Sequence, residues 1–132
     1  MVRTFYYEIA ELLKEMGLPS HLHGYCYLKD AIWYAINHPI QGQMTTSVYP
    51  NIADKFETSP SNIERNIRNA IEVSFSRGNT ELINDVFGYT ISYDKDRPTN
   101  TEFVSACAEY ILNSNWFIKK KTKINCISIA YF

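Results

Sequence analysis

Residues 49–79, YPNIADKFETSPSNIERNIRNAIEVSFSRGN, read as two helices joined by a tight turn, the second polar and arginine-bearing on its outer side. Pro50 suits the first position of a short helix, where its missing N–H costs nothing, and Ile52, Ala53 and Phe56 supply an apolar face. Glu57, Thr58 and Ser59 break the pattern. Pro60 opens the second helix with Ser59 or Thr58 as its N-cap. A capping-box match, Ser61-x-x-Glu64, sits slightly further along, which leaves the start open by about two residues. Gly78 ends the helix. The pair is a helix-turn-helix candidate.

Within the second helix the apolar residues Ile63, Ile67, Ala70, Ile71 and Ser74/Phe75 follow the spacing of one buried stripe. Ser61, Asn62, Arg65, Asn69, Glu72 and Ser76 then fall around the opposite side. A helix of roughly 17 residues is about 25 Å long and can lie in a major groove about 12 Å wide with its first turns against base edges. Arginine, asparagine, serine and glutamate are side chains that read guanine, adenine and cytosine there. Any surface helix has a polar outer face, however, so the pattern is shared with proteins that never touch DNA.

At 132 residues the chain has room for one domain with a real core and not for two ordinary ones. Its hydrophobic content of 45% beside 20% charged residues suits a globular protein. No stretch approaches the roughly 18 consecutive apolar residues of a membrane span. The N-terminal MVRTFYYEIAELLKEMG is amphipathic and acidic, unlike a signal peptide, so no membrane association and a cytoplasmic location are expected. The three cysteines, Cys26, Cys107 and Cys126, are far apart and form no C-x-x-C pair, which makes reduced thiols the expectation. His21-x-His23-x-x-Cys26 would splay its ligands on a helix, and no second cluster completes a tetrahedral set, so no metal is expected. Net charge is −1, and Lys119, Lys120, Lys121 and Lys123 lie in a tail without acids, so residues 1–115 are net acidic. An acidic body weakens non-specific phosphate attraction and places any DNA binding on a local face.

Periodicity predicts a first helix from Thr4 to Met16, burying Phe5, Ile9, Leu12, Leu13 and Met16 and ended by Gly17 and Pro19. A second covers about Leu22 to Asn37 with Tyr25, Leu28, Ile32 and Ala35/Ile36 inward. Gly42 to Val48 leads into the helix-turn-helix as a helical turn of its own. Asn79 or Thr80 caps a short helix through Val86 that Gly88 closes. Thr90 to Tyr93 alternates like a strand but has no partner strand, and reads as an extended loop. Thr99-x-x-Glu102 is a second capping box, opening a helix with Phe103, Val104, Cys107, Tyr110 and Ile111 inward. The expectation is a single compact all-α domain of about six helices over residues 1–115. Residues 116–132 form a basic and hydrophobic tail that suits an edge strand, a partner surface or a disordered end.

Four blocks carry a resemblance: GLPSHLHGYCYLKDAI (residues 17–32), the helix-turn-helix (49–79), FGYT (87–90) and RPTNTEF (97–103). In order and spacing they resemble the C-terminal effector domain of the master response regulator of sporulation, the stage-zero factor A family, across nearly everything from Ile9 to Leu112. The resemblance implies a six-helix DNA-binding domain whose recognition helix begins near Ser61 and which binds a short promoter box, often in tandem copies. The family's base-reading positions fall on Glu64 and Arg65, with Arg68 nearby. The family usually has arginine where this chain has Asn62 and histidine where it has Asn69, which bears on the preferred bases. The family's contact with an RNA polymerase sigma subunit falls on residues 78–91, placing Gly78, Glu81, Phe87 and Ile91 as candidate contacts. Met1 precedes the first helix by only a few residues, leaving no room for the family's receiver domain, so a stand-alone effector or a piece of something larger is expected.

These readings combine into a transcription regulator that binds double-stranded promoter DNA through Ser61, Asn62, Glu64, Arg65, Arg68 and Asn69, with no cofactor and no enzymatic activity. The chain offers no phosphate loop, no metal cluster and no nucleophile with a neighbouring base. The alternative is a protein-interaction module of the same fold that binds a sigma factor or a related regulator.

Overall fold

The computed structural model describes residues 5–38, 44–88 and 97–113. Its helices are α1 (Tyr6–Glu15), α2 (His23–Asn37), α3 (Tyr49–Phe56), α4 (Pro60–Arg77), α5 (Thr80–Phe87) and α6 (Asn100–Asn113). A π-helical turn over Met44–Val48 runs directly into α3. The described residues contain no strand, and the fold class is all-α as expected. Ile91, the strand-like Thr90 to Tyr93 and the tail from Trp116 lie outside the described residues.

α2 is the central helix and packs against α1, α3, α4 and α6. This explains where its burial departs from a single stripe. Tyr25, Leu28 and Ile32 are buried as expected, but so are Tyr27, Asp30 and Ala31, while Ala35 and Ile36 are only half-buried. A helix with neighbours on several sides covers more than one stripe until it runs past them. α1 is shorter than Thr4 to Met16, with Met16 at its C-cap, but Ile9, Leu12, Leu13 and Met16 are fully buried. Phe56 corrects the expected inner face of α3: it is exposed at the helix end, with its ring edge-on to Tyr27 at 5.0 Å. Tyr110 is likewise half-buried, and Ala108 occupies the core instead.

Two glycines set how closely the helices meet. A Cβ on Gly24 would stand 2.4 Å from the Asn66 carbonyl oxygen and 2.7 Å from Ala70 Cβ, so α2 can cross α4 at this distance only without a side chain. Gly78 ends α4 against the Met16 carbonyl oxygen, which a Cβ there would approach to 2.4 Å. The buried Ser74 hydroxyl donates to the same carbonyl at 2.8 Å, anchoring the C-terminal end of α4 to that of α1. The last two helices are capped as their sequences demand. Asn79 Oδ1 accepts from the Glu81 and Leu82 N–H groups, and Thr99 and Glu102 bond reciprocally at 2.8 and 3.1 Å.

Candidate nucleic-acid interface

The turn between α3 and α4 is built from its own residues. Glu57 takes up the left-handed conformation at φ 54°, and the Thr58 N–H donates back to the Ala53 carbonyl at 2.9 Å, closing α3. Ser59 then caps α4, its Oγ accepting from the Asn62 N–H at 3.1 Å, with Pro60 in the first turn. This decides between the two candidate caps. Thr58 has a different part, accepting from Asn62 Nδ2 at 2.9 Å.

Ile63, Ile67, Ala70, Ile71 and Ser74 form the buried stripe of α4, and the opposite side is open as the periodicity requires. Ser61, Arg65, Arg68 and Asn69 are exposed, while Asn62 and Glu64 are half-buried. These six candidates therefore occupy the first three turns of one helix. One residue of α6 ties that end of α4, together with the start of α3, to the body of the domain. Asn100, buried at the start of α6, donates from Nδ2 to the Tyr49 hydroxyl and to the Glu64 carbonyl oxygen, each at 3.0 Å. Burial raises the Tyr49 phenol above its ordinary range, against the opposing hydrogen bond from Asn100. α3 is tied to α2 by Lys55 and the buried Asp30 at 2.8 Å, and that hydrogen bond holds the Lys55 ammonium above the ordinary lysine range.

Two arginines of this face are matched by acids. Arg68 pairs with Glu64 at 2.9 Å one turn away. Arg97, ahead of α6, pairs with Glu72 at 3.3 Å and lies over the Phe75 ring at 5.2 Å. Exposed pairs of this kind contribute about 0–1 kcal/mol, so exchanging a carboxylate for a phosphate oxygen costs little. Arg65 Nη2 donates to Asn62 Oδ1 at 3.2 Å rather than to a carboxylate. The local sequence signals gave Asn66 and Asn100 no part and offered Thr58 only as an alternative cap, because what these residues do is hold other groups in place rather than face outward.

The remaining candidates divide. Glu81 is exposed on α5, whereas Gly78 is packed on α1 and Phe87 is buried between Phe75 and Phe103, with ring centroids 5.7 and 5.4 Å away. Among the described residues no group of three or more histidine, cysteine or acidic side chains could hold a metal ion, and no helix is long and apolar enough to cross a membrane. His23 instead meets the Tyr27 ring edge-on at 6.2 Å.

A tight two-helix unit, locked onto an all-helical core with an open hydrogen-bonding face on its second helix, defines a helix-turn-helix domain. The family model described as "Sporulation initiation factor Spo0A C terminal" matches residues 9–111, and the chain belongs to that family. At the family level it is therefore a DNA-binding domain of sporulation regulators, in a family of transcription regulation and not of enzymes.

Proposed function

We propose that α4 reads a short promoter box in the major groove of double-stranded DNA, with Ser61, Asn62, Glu64, Arg65, Arg68 and Asn69 as the surface set against the DNA. The observation that carries this is the exposure of Arg65, Arg68 and Asn69 on the first turns of a helix fixed by its own N-cap and by Asn100. Arg65 is suited to guanine, because a guanidinium can donate two hydrogen bonds to O6 and N7. Glu64 and Arg68 exchange their mutual pair for base and phosphate contacts. Residues 1–115 act as the helical domain, and the lysines of residues 116–132 add sequence-independent phosphate attraction. Glu81 on α5 is the exposed candidate for a contact with a sigma subunit, and two copies bind in tandem on adjacent boxes.

A second reading, a protein-interaction module of the same fold, draws on the pairing of Arg68 and Arg97 with acids and on the net charge of −1. Titration of a sporulation-type box and a scrambled duplex at several salt concentrations separates the two. DNA reading gives a sequence preference together with a salt-dependent affinity, and Arg65→Ala removes the preference at one base pair, worth about 1–3 kcal/mol. Equal affinity of the parent for both duplexes selects the interaction module.

A further inference from the structure

Both ends of the Asn62 side-chain amide are engaged within the protein. Nδ2 donates to Thr58 Oγ1 at 2.9 Å, while Oδ1 accepts from Asn66 Nδ2 at 3.0 Å and from Arg65 Nη2 at 3.2 Å. Asn66 Nδ2 also donates to the Asn62 backbone carbonyl at 2.7 Å. The amide orientation follows from its partners: turned over, its NH2 group would face two other donors, the Asn66 amide and the Arg65 guanidinium, and the Arg65 hydrogen bond would be lost. An asparagine that reads adenine needs both its oxygen and its nitrogen for the base. Here both already have partners.

Arg65 is in the opposite position. A guanidinium carries five N–H donors in a rigid planar fork. One hydrogen of Nη2 goes to Asn62, so the second Nη2 hydrogen and both on Nη1 are left for a base edge. The support beneath is firm, because Thr58, Asn62 and Asn66 are all half-buried and the Asn66 backbone lies against Gly24 of α2. A side chain restrained in this way before DNA arrives loses less rotamer freedom on binding.

Resting on the reading of α4 given above, we propose that Asn62 is a positioning residue. It reads no base itself, and through the Thr58–Asn62–Asn66 ladder it holds the Arg65 guanidinium in the plane in which it reads one. Arg65 is then the specificity-determining group of this turn, and the base pair opposite position 62 is left without a direct reader.

The test measures Kd of the full chain for a preferred duplex and for duplexes substituted at each base pair, with the parent, Asn62→Ala, Asn62→Asp, Arg65→Ala and the Asn62→Ala/Arg65→Ala double variant. Asn62→Ala should lower the preference about two- to tenfold, the equivalent of one side chain newly ordered on binding, and only at the base pair where Arg65→Ala abolishes it. In the Arg65→Ala background it should change nothing further. Asn62→Asp keeps the acceptor for Arg65, so it should retain the preference while weakening all duplexes alike by phosphate repulsion. A loss at a base pair that Arg65→Ala leaves untouched, a loss undiminished in the double variant, or an equal loss at every position overturns the proposal. A readout without DNA is the 15N relaxation of the Arg65 Nε–H in the free protein. Asn62→Ala should raise its mobility, and unchanged mobility overturns the positioning role. If the parent itself prefers no duplex, the reading surface is refuted, and the relaxation measurement still decides whether Asn62 holds Arg65.

Discussion

Gly24→Ala adds one methyl group at the place where α2 and α4 are closest. The new Cβ would stand 2.4 Å from the Asn66 carbonyl oxygen and 2.7 Å from Ala70 Cβ, where van der Waals contact needs about 3.5–4.0 Å between carbons. The carbonyl belongs to a helix backbone and the Ala70 methyl has no rotamer, so nothing can turn aside and the helices must separate by roughly an ångström. Two effects oppose one another. Alanine is favoured over glycine by up to about 1 kcal/mol in a helix interior, and by less in a first turn, where residue 24 sits. Overpacking a core costs about 1–3 kcal/mol, and more when rigid elements must move. The clash wins, because α2 is also held by α1, α3 and α6 and cannot shift alone. The expected net loss is about 1–2 kcal/mol, which for a domain of this size lowers Tm by roughly 4–9 °C. Thermal and urea unfolding followed by circular dichroism measure it. A variant as stable as the parent, or more so, would refute the close approach, since only the propensity gain would then remain.

Ile67→Ala removes a fully buried side chain from the middle of α4 and should cost about 2–5 kcal/mol in the same unfolding assays; an unchanged melting curve would mean that the inner face of α4 is misphased. Stability should fall as pH rises beyond about 10, because Lys55 and Tyr49 hold their protons more tightly folded than unfolded. Their contribution is complete below the ordinary lysine and tyrosine values and is lost as pH climbs through the raised folded ones. Tyr49→Phe and Lys55→Met should each flatten that alkaline decline, and a decline of unchanged steepness in both would assign it to other groups. Deleting residues 116–132 should leave the helical circular dichroism and the cooperative melt in place, since the described core runs from Ile9 to Ile111; loss of folded protein on truncation would make the tail part of the core.

The features legible in the amino-acid sequence are the local ones. The helix spans, the Thr99–Glu102 capping box, the Asn79 cap and the buried stripe from Ile63 to Ser74 all follow from partners within a few residues or from a 3.6-residue period. The outward face of α4 was legible for the same reason, since fixing one side of a helix fixes the other. The choice between Thr58 and Ser59 as cap needed the chain path, because both hydroxyls stand at the right place in sequence. Tertiary structure alone decided which polar groups are buried and what they hold. Asp30 looks like one more surface acid until Lys55 arrives from α3, and Asn100 looks like a capping neighbour until it meets Tyr49 and the Glu64 carbonyl. Tertiary structure likewise placed Phe87 between two rings in the core and brought the backbone of α4 onto Gly24. These partners are between 25 and 51 residues apart for the polar pairs across helices, a distance over which no periodicity carries information. Only the packing of α2 against its neighbours brings them into contact.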